Sequence, residues 1–461
     1  MDKPLRLIVF LVAGAMFMEM LDGTVIVTAL PQMGQVFGVS AVTMNVGITA
    51  YLLAVAVCLP ASGWAAERFG VRHVFAGGLA FFTLASLLCA ISQGLNAFVA
   101  SRVLQGVGGS AMVSVGRLAV LRVTPKHLLV HAIGTIVWPG LIAPVLGPAL
   151  GGFLVTDTSW RCIFLVNLPM GVVALAASLV IMPAGNSATA RKLDIKGLIL
   201  LGFALAALVG GVNSIGQANF FALPVLGAGM VLTAAMWWHC RRHPALLLDF
   251  SAMRHLSFSI GAIGGSAFRV SINSSPFLLP LFFQLVLKDD AFQAGLLLLA
   301  LFAGNLLMKT ATRRALKAFG FRRIITVNGV LSSLSLAACA LFAPGIGVCC
   351  VAVVLFLGGM SRSMQFTAIN TLQFADVPQA EMGSANTLGN LVQQLSMGLG
   401  PAFGGLCLEV GMLFGQTAVP DLTDFRLAFL LTALLALTGV AGSFRLAKDA
   451  GQTVSGHRTA G

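Results

Sequence analysis

Apolar runs of about 20 residues, broken by short polar or basic stretches, follow one another from Leu7 to Leu446. At 1.5 Å per residue, a helix needs about 20 such residues to cross the hydrocarbon core of a bilayer. The pattern predicts fourteen crossing helices, at 7–31, 43–63, 73–92, 97–121, 130–155, 162–182, 195–212, 221–239, 257–286, 291–309, 323–343, 346–368, 386–410 and 425–446. The expected fold class is an all-α integral membrane protein. An even number of crossings puts both termini on one side.

The basic residues say which side. With fourteen crossings, twenty-one Lys and Arg share the face that carries the termini, among them Lys3, Arg68, Arg72, Arg122, Lys196, Arg241, Arg314 and Arg445. Only Arg161, Lys288 and Arg426 fall opposite, and Arg102, Arg117, Arg269 and Arg362 lie within the spans. Short loops rich in Lys and Arg stay in the cytoplasm, so both termini are expected there. A count wrong by one helix would scramble this bias.

The chain also repeats itself. GPALGG at 147–152 returns as GPAFGG at 400–405, an offset of 253, and at that same offset Pro125 meets Pro378 and Gly106 meets Gly359. ERFGVR at 67–72 has a worn copy in KAFGFR at 317–322. The repeat divides the chain into a six-helix half at 1–182, two inserted helices with linkers at 183–256, a second six-helix half at 257–446 and a tail at 447–461. Parallel repeats of this kind mark one large class of secondary transporters, with the substrate site between the halves.

Composition agrees with a lipid setting. Of 461 residues 58% are hydrophobic and 9% charged, against roughly 45–50% apolar and about 25% charged in soluble domains. The net charge of +13 would suggest nucleic acid in a soluble protein, but here it is spent on topology, and no RNP, zinc-finger or helix-turn-helix signature accompanies it. The eight cysteines form no C-x-x-C, the histidines are scattered and no P-loop is present. ATP drive, a metal centre and a bound cofactor are therefore not expected. Lys3 and Arg6 precede an apolar run that Glu19 and Asp22 interrupt, which points to a retained first span rather than a cleaved signal.

Those two acids are the chemical feature of the sequence. Counted from Leu7 they lie ~18 and ~22 Å into a core ~30 Å thick, and a spacing of three puts them on one helical face. The other thirteen acidic residues fall in loops, tails or span ends. A charge at the bilayer centre costs about 2.5–3.5 kcal/mol even on the lenient insertion scale, so it normally faces a cavity or a partner. Two carboxylates this close do not both ionise readily and titrate as a coupled pair, as a proton carrier requires. Arg102, Arg117, Arg269 and Arg362 are the candidate partners. A repeat offset of about 249 places Arg269 near Met20, opposite the acidic pair; Arg117 and Arg362 are placed near span ends, where they snorkel to water.

Several stretches resemble the major facilitator superfamily, in particular its fourteen-spanning drug/proton antiporter branch of the EmrB/QacA type. LDGTVIVTALP (21–31) resembles the first-helix signature, GWAAERFGVRHV (63–74) the motif between helices two and three, RVLQGVGG (102–109) the fourth-helix motif, GPALGG the antiporter motif and SWRCIFLVNLPMG (159–171) the start of helix six. MVSVGRLAVLR and SMQFTAINTL look like the MdtD- and HsrA-type bacterial exporters. Glu67 stands where the family usually has aspartate, and Ala143 where the antiporter motif usually opens with glycine.

The resemblance implies a major facilitator fold arranged 6 + 2 + 6 and a proton-driven exporter working by alternating access in the bacterial cytoplasmic membrane. Asp22, inside the signature, is the stronger proton carrier, with Glu19 as a second acid and Arg102 as relay. Gly63, Glu67, Arg68, Gly70 and Arg72 are expected to form a cytoplasmic hinge whose charges latch to helix ends. Gly147, Pro148, Gly151 and Gly152, with Gly400 and Pro401 in the second half, are expected to gate by close packing and bending. Cargo is expected to meet Glu19, Asp22, Trp138, Arg269, Asn273, Gln365, Asn370, Gln393 and Gln394 in a cavity otherwise lined by Met, Phe and small residues. The expected partners are small amphipathic compounds, protons and the lipid bilayer, for a protein that works as a monomer and binds no nucleic acid. Cargo of another class, an organic acid or iron–citrate, is the alternative that the intramembrane arginines favour. A membrane receptor or enzyme would need a catalytic constellation or a large soluble domain, and neither is visible.

Overall fold

The structure is a computed structural model, and it describes residues 3–124, 129–183, 194–216, 222–242, 251–378, 381–416, 419–447 and 451. Every regular element among the described residues is a helix. In chain order they are α1 (Lys3–Val25), α2 (Leu30–Phe37), α3 (Asn45–Phe69), α4 (Val71–Ile91), α5 (Leu95–Val123), α6 (Leu129–Asp157), α7 (Cys162–Leu165), α8 (Asn167–Ile181), α9 (Ile195–Gly216), α10 (Ala222–Arg242), α11 (Leu256–Leu285), α12 (Ala291–Cys339), α13 (Val348–Ala375), α14 (Met382–Gly415) and α15 (Leu422–Ala441), with a few single 3-10 turns. The predicted apolar runs lie on these helices, the run at 7–31 shared by α1 and α2 and that at 162–182 by α7 and α8. Nine helical stretches among the described residues are long and apolar enough to cross a membrane, and two shorter apolar helices accompany them.

The helices gather into two compact units, Met1–Ala206 and Ala207–Gly461, so the division falls inside α9. In the first unit α1 packs on α6, and α5 on both α3 and α4; in the second α11 packs on α14 and α15, and α12 on α13. Both units leave large apolar side chains on their surfaces, such as Val172, Val173 and Val180 of α8 and Leu223 and Val231 of α10. Apolar surface on this scale belongs against lipid.

Sequence explains the breaks. Pro31 stands at the start of α2; it has no N–H to give and its ring crowds the carbonyl four residues back, so the first span tightens into a 3-10 turn at Ile26–Ala29. Between α3 and α4 the turn is a single residue, Gly70, with φ 86° and ψ 148°. The second unit repeats the device. α12 carries two of the predicted crossings, joined at Gly320 with φ 71° and ψ 166°. That backbone region is open essentially to glycine alone. The expected loop at 310–322 is thus a correction: TRRALKAF contains no helix breaker, so the helix continues to the glycine.

The small-residue motifs mark close helix contacts. A methyl group on Gly147 would collide with Thr24 of α1, and one on Gly151 would sit 2.5 Å from the Val25 carbonyl. In the second unit a methyl on Gly400 would sit 2.5 Å from Cβ of Asn273, and Ser274 donates to the Gly400 carbonyl at 2.7 Å. Gly152 is buried beside Gly151, Pro401 lies inside α14, and Pro148 is buried one residue from Gly147. α14 also runs five residues past its expected end, which places Glu409 six residues inside its C-terminus.

Candidate functional site

Asp22 is the twentieth of the 35 residues from Lys3 to Phe37, near the middle of the first span. Its carboxylate is fully occupied. Arg102 Nη1 donates to Oδ2 at 2.6 Å, while Gln105 Nε2 at 2.9 Å and Asn167 Nδ2 at 2.7 Å donate to Oδ1. Arg102 also donates to Gln105 Oε1 at 2.5 Å, and Gln105 to Ser86 Oγ at 2.8 Å, so the network closes on itself. Arg102 is 0% exposed and Asp22 3%. A buried ion pair offsets its desolvation only when the remaining donors and acceptors are also met, and here they nearly all are.

Glu19, one turn earlier, is built differently. Among the described residues it pairs with no cation: Tyr51 of α3 donates its hydroxyl to Oε1 at 2.9 Å, and Oε2 is buried without a partner there. The Tyr51 ring lies 4.3 Å beneath the Arg102 guanidinium, a cation–π contact that links the two acids through a neutral side chain. Thus α1 supplies two acids, one saturated and one open.

Helical spacing in RVLQGVGG assembles this. Arg102 and Gln105, three apart, share the face of α5 that meets α1. Gly106 and Gly108 let α5 approach the backbones of α3 and α4, and a methyl on Gly109 would lie 3.1 Å from the Tyr51 hydroxyl. Asn167 comes from the stretch SWRCIFLVNLPMG: the chain breaks at Val166 after the four-residue α7, so Asn167 opens α8 with its side chain directed at Asp22. Trp160 stacks edge-on against Phe37 and Phe164 and fixes that break.

The Major Facilitator Superfamily profile matches residues 12–401. The chain belongs to the major facilitator superfamily. It is 38% identical over 413 residues to a protein of Yersinia enterocolitica carrying the name multidrug resistance protein MdtD, covering 88% of this chain and 87% of that one. A Pectobacterium carotovorum protein of the same name is 36% identical over 435 residues, covering 94% and 93%. Among solved structures, a D-xylose–proton symporter matches with TM-score 0.69 at 15% identity over 96% of this chain and 98% of that one. A bacterial homologue of the human lysosomal transporter Spinster matches with TM-score 0.66 at 14% identity over 100% of both chains. These two likenesses concern the fold. The superfamily makes the protein a transporter rather than an enzyme.

Within this major facilitator the other expected site residues are distributed as follows. Within the second unit Arg269 donates to Gly261 O at 3.1 Å, Asn370 Oδ1 at 2.5 Å and Gln373 Oε1 at 3.0 Å. Asn273 donates to the Arg269 carbonyl at 2.7 Å. Gln365 is buried between α12 and α13, donating to Ile325 O at 3.0 Å and accepting from Asn328 at 3.3 Å, so it fastens two helices. Gln393 and Gln394 are partly exposed on α14, and the side chain of Trp138 lies outside the described residues. Of the hinge residues, Glu67 and Arg68 are exposed, Gly63 sits in an ordinary helix with open space beside it, and Arg72 donates to the Met182 carbonyl at 2.6 Å. That last bond ties the hinge to the C-terminal end of α8, where a cation is favoured. Arg117 is exposed six residues from the end of α5, whereas Arg362 lies midway along α13 rather than near an end.

Tyr51, Ser86, Gln105 and Asn167 complete the site, and the sequence reading did not single them out. Tyr51 is the only tyrosine in the chain, and Gln105 and Asn167 stand inside motifs already quoted. Those were the available signals.

Proposed function

We propose that this protein is a proton-coupled exporter of small amphipathic compounds, a drug/proton antiporter that works by alternating access. It sits in the bacterial cytoplasmic membrane as a monomer with fourteen crossings arranged 6 + 2 + 6, both termini in the cytoplasm, and it is driven by the proton gradient alone. The multidrug resistance names of its relatives support the cargo class. Proton coupling is carried by one observation, the unequal pair of acids on α1.

With Arg102 charged and both acids ionised the cluster carries a net charge of −1, and one proton brings it to zero. Asp22 already accepts from a cation and two amides, so the proton adds to Glu19 at the open Oε2, while Tyr51 keeps donating to Oε1. In a poorly solvated site the neutral count is favoured, so Glu19 gives up its proton when a positive group takes its place. Proton and cationic cargo then exclude one another, which is the requirement for exchange. An organic acid as cargo is the second reading, favoured by Arg269, whose side-chain partners among the described residues are amides and a carbonyl rather than a carboxylate.

The test is a transport screen in proteoliposomes with an internal pH dye, across lipophilic cations, neutral drugs and organic acids. Lipophilic cations are expected to drive proton movement opposite to their own. Organic acids moving protons while cations do not would favour the second reading, and a sodium requirement with no proton movement would replace both.

A further inference from the structure

The guanidiniums of Arg102, Arg269 and Arg362 lie within helices away from the ends, and each has different surroundings. Arg102 has a carboxylate. Arg269 has two amides and a carbonyl. Arg362, the fifteenth of the 28 residues of α13, makes no hydrogen bond or ion pair among the described residues, and its Nη1 is buried without a partner. What it has is a cavity. The space lies wholly within the second unit and is walled by Arg362 and Gly358 of α13, Ser275 and Ile272 of α11, and Ser332 and Ser335 of α12.

The polar groups around this space are unequally used. Ser332 pairs with Ser361 at 2.5 Å and Ser335 donates to the Ser332 carbonyl at 2.8 Å. Ser275, 6% exposed, bonds to nothing among the described residues. The cavity therefore offers two uncommitted donors, the Arg362 guanidinium and the Ser275 hydroxyl, and no carboxylate. Its volume is about 30 Å³; one water needs roughly 10–15 Å³ on the same measure, and drug-sized ligands about 300–1,000 Å³. Cargo is excluded by size. Water fits, but it leaves an arginine charge uncompensated in the membrane interior, where such residues pair or mark an ion site.

We infer that the cavity between α11, α12 and α13 binds a compact monovalent anion, a halide or a small carboxylate, held by Arg362 and Ser275. The anion neutralises Arg362 within the second unit. The site is separate from the acids of α1, and the inference does not depend on proton coupling.

The test reads binding without transport. Full-length protein is purified in nanodiscs in sodium gluconate, an anion too large for the cavity, and its thermal unfolding is followed while chloride, bromide or acetate replaces gluconate at constant ionic strength. A ligand of the folded state raises the midpoint in a saturable way, by about a few degrees at saturation. Chloride and bromide raising it assigns a halide, and acetate alone raising it assigns a carboxylate. The Arg362→Gln variant is expected to lose the response, and Ser275→Ala to weaken the apparent affinity about tenfold, the loss of one hydrogen bond to a charged group. If Arg362→Gln does not fold, Ser275→Ala and the anomalous signal of bromide beside Arg362 in a crystal decide the matter. A midpoint equal in all four anions, or a chloride response unchanged in the variants, overturns the inference.

Discussion

Glu19 and Asp22 have the same chemistry one turn apart, and their surroundings give them different tasks. Asp22 is the counter-charge of a fully buried arginine. Asp22→Asn strips that charge, and breaking one side of a buried pair costs about 3–5 kcal/mol. Glu19→Gln removes only a group bonded to one phenol and is expected to cost about 1 kcal/mol or less. Thermal unfolding of the two purified variants should rank Asp22→Asn well below Glu19→Gln; equal losses would mean that the two acids share Arg102. The site was half legible in the sequence. Two acids in an apolar run cannot be overlooked, and the fourth-helix motif flags Arg102. The neutral partners could not be read, because Tyr51, Ser86, Gln105 and Asn167 arrive from α3, α4, α5 and α8, and a polar residue in a span looks the same whether it faces a site or a neighbouring helix.

At the scale of elements, the two halves reuse the same joints. Gly70 and Gly320 occupy equivalent places in ERFGVR and KAFGFR, and both have a positive φ that other residues avoid. Alanine at either is expected to cost about 1–3 kcal/mol. Gly63, seven residues before Gly70 but in regular helix with nothing near its Cα hydrogen, should gain about 0.5–1 kcal/mol from the same change. Chemical denaturation of the three variants checks this; a loss at Gly63 equal to that at Gly70 would give Gly63 a contact absent here. The hydrophobic pattern located the apolar helical stretches, since period and length survive in a single sequence, but not the breaks that split the first into α1 and α2 and the sixth into α7 and α8. It misplaced the joint in α12, where charged helix-formers read as a loop although nothing stops the helix before Gly320.

For the whole molecule, the distribution of Lys and Arg is the strongest statement the chain makes about its orientation. Reporter fusions test it: a fluorescent protein after residue 447 should be fluorescent, and a phosphatase that works only outside should be active when fused after Gly345, in the loop between α12 and α13. Reversed signals would invert the topology, and a mixed result would change the number of crossings. The central claim is that the exchanged proton resides on Glu19. Its most direct test is cargo-evoked proton flux in proteoliposomes, comparing wild type with Glu19→Gln, a change that leaves the Asp22–Arg102 pair intact. The account predicts that the variant folds, keeps its pair and shows no proton movement when a lipophilic cation is supplied. Proton flux at the wild-type rate in Glu19→Gln would contradict it.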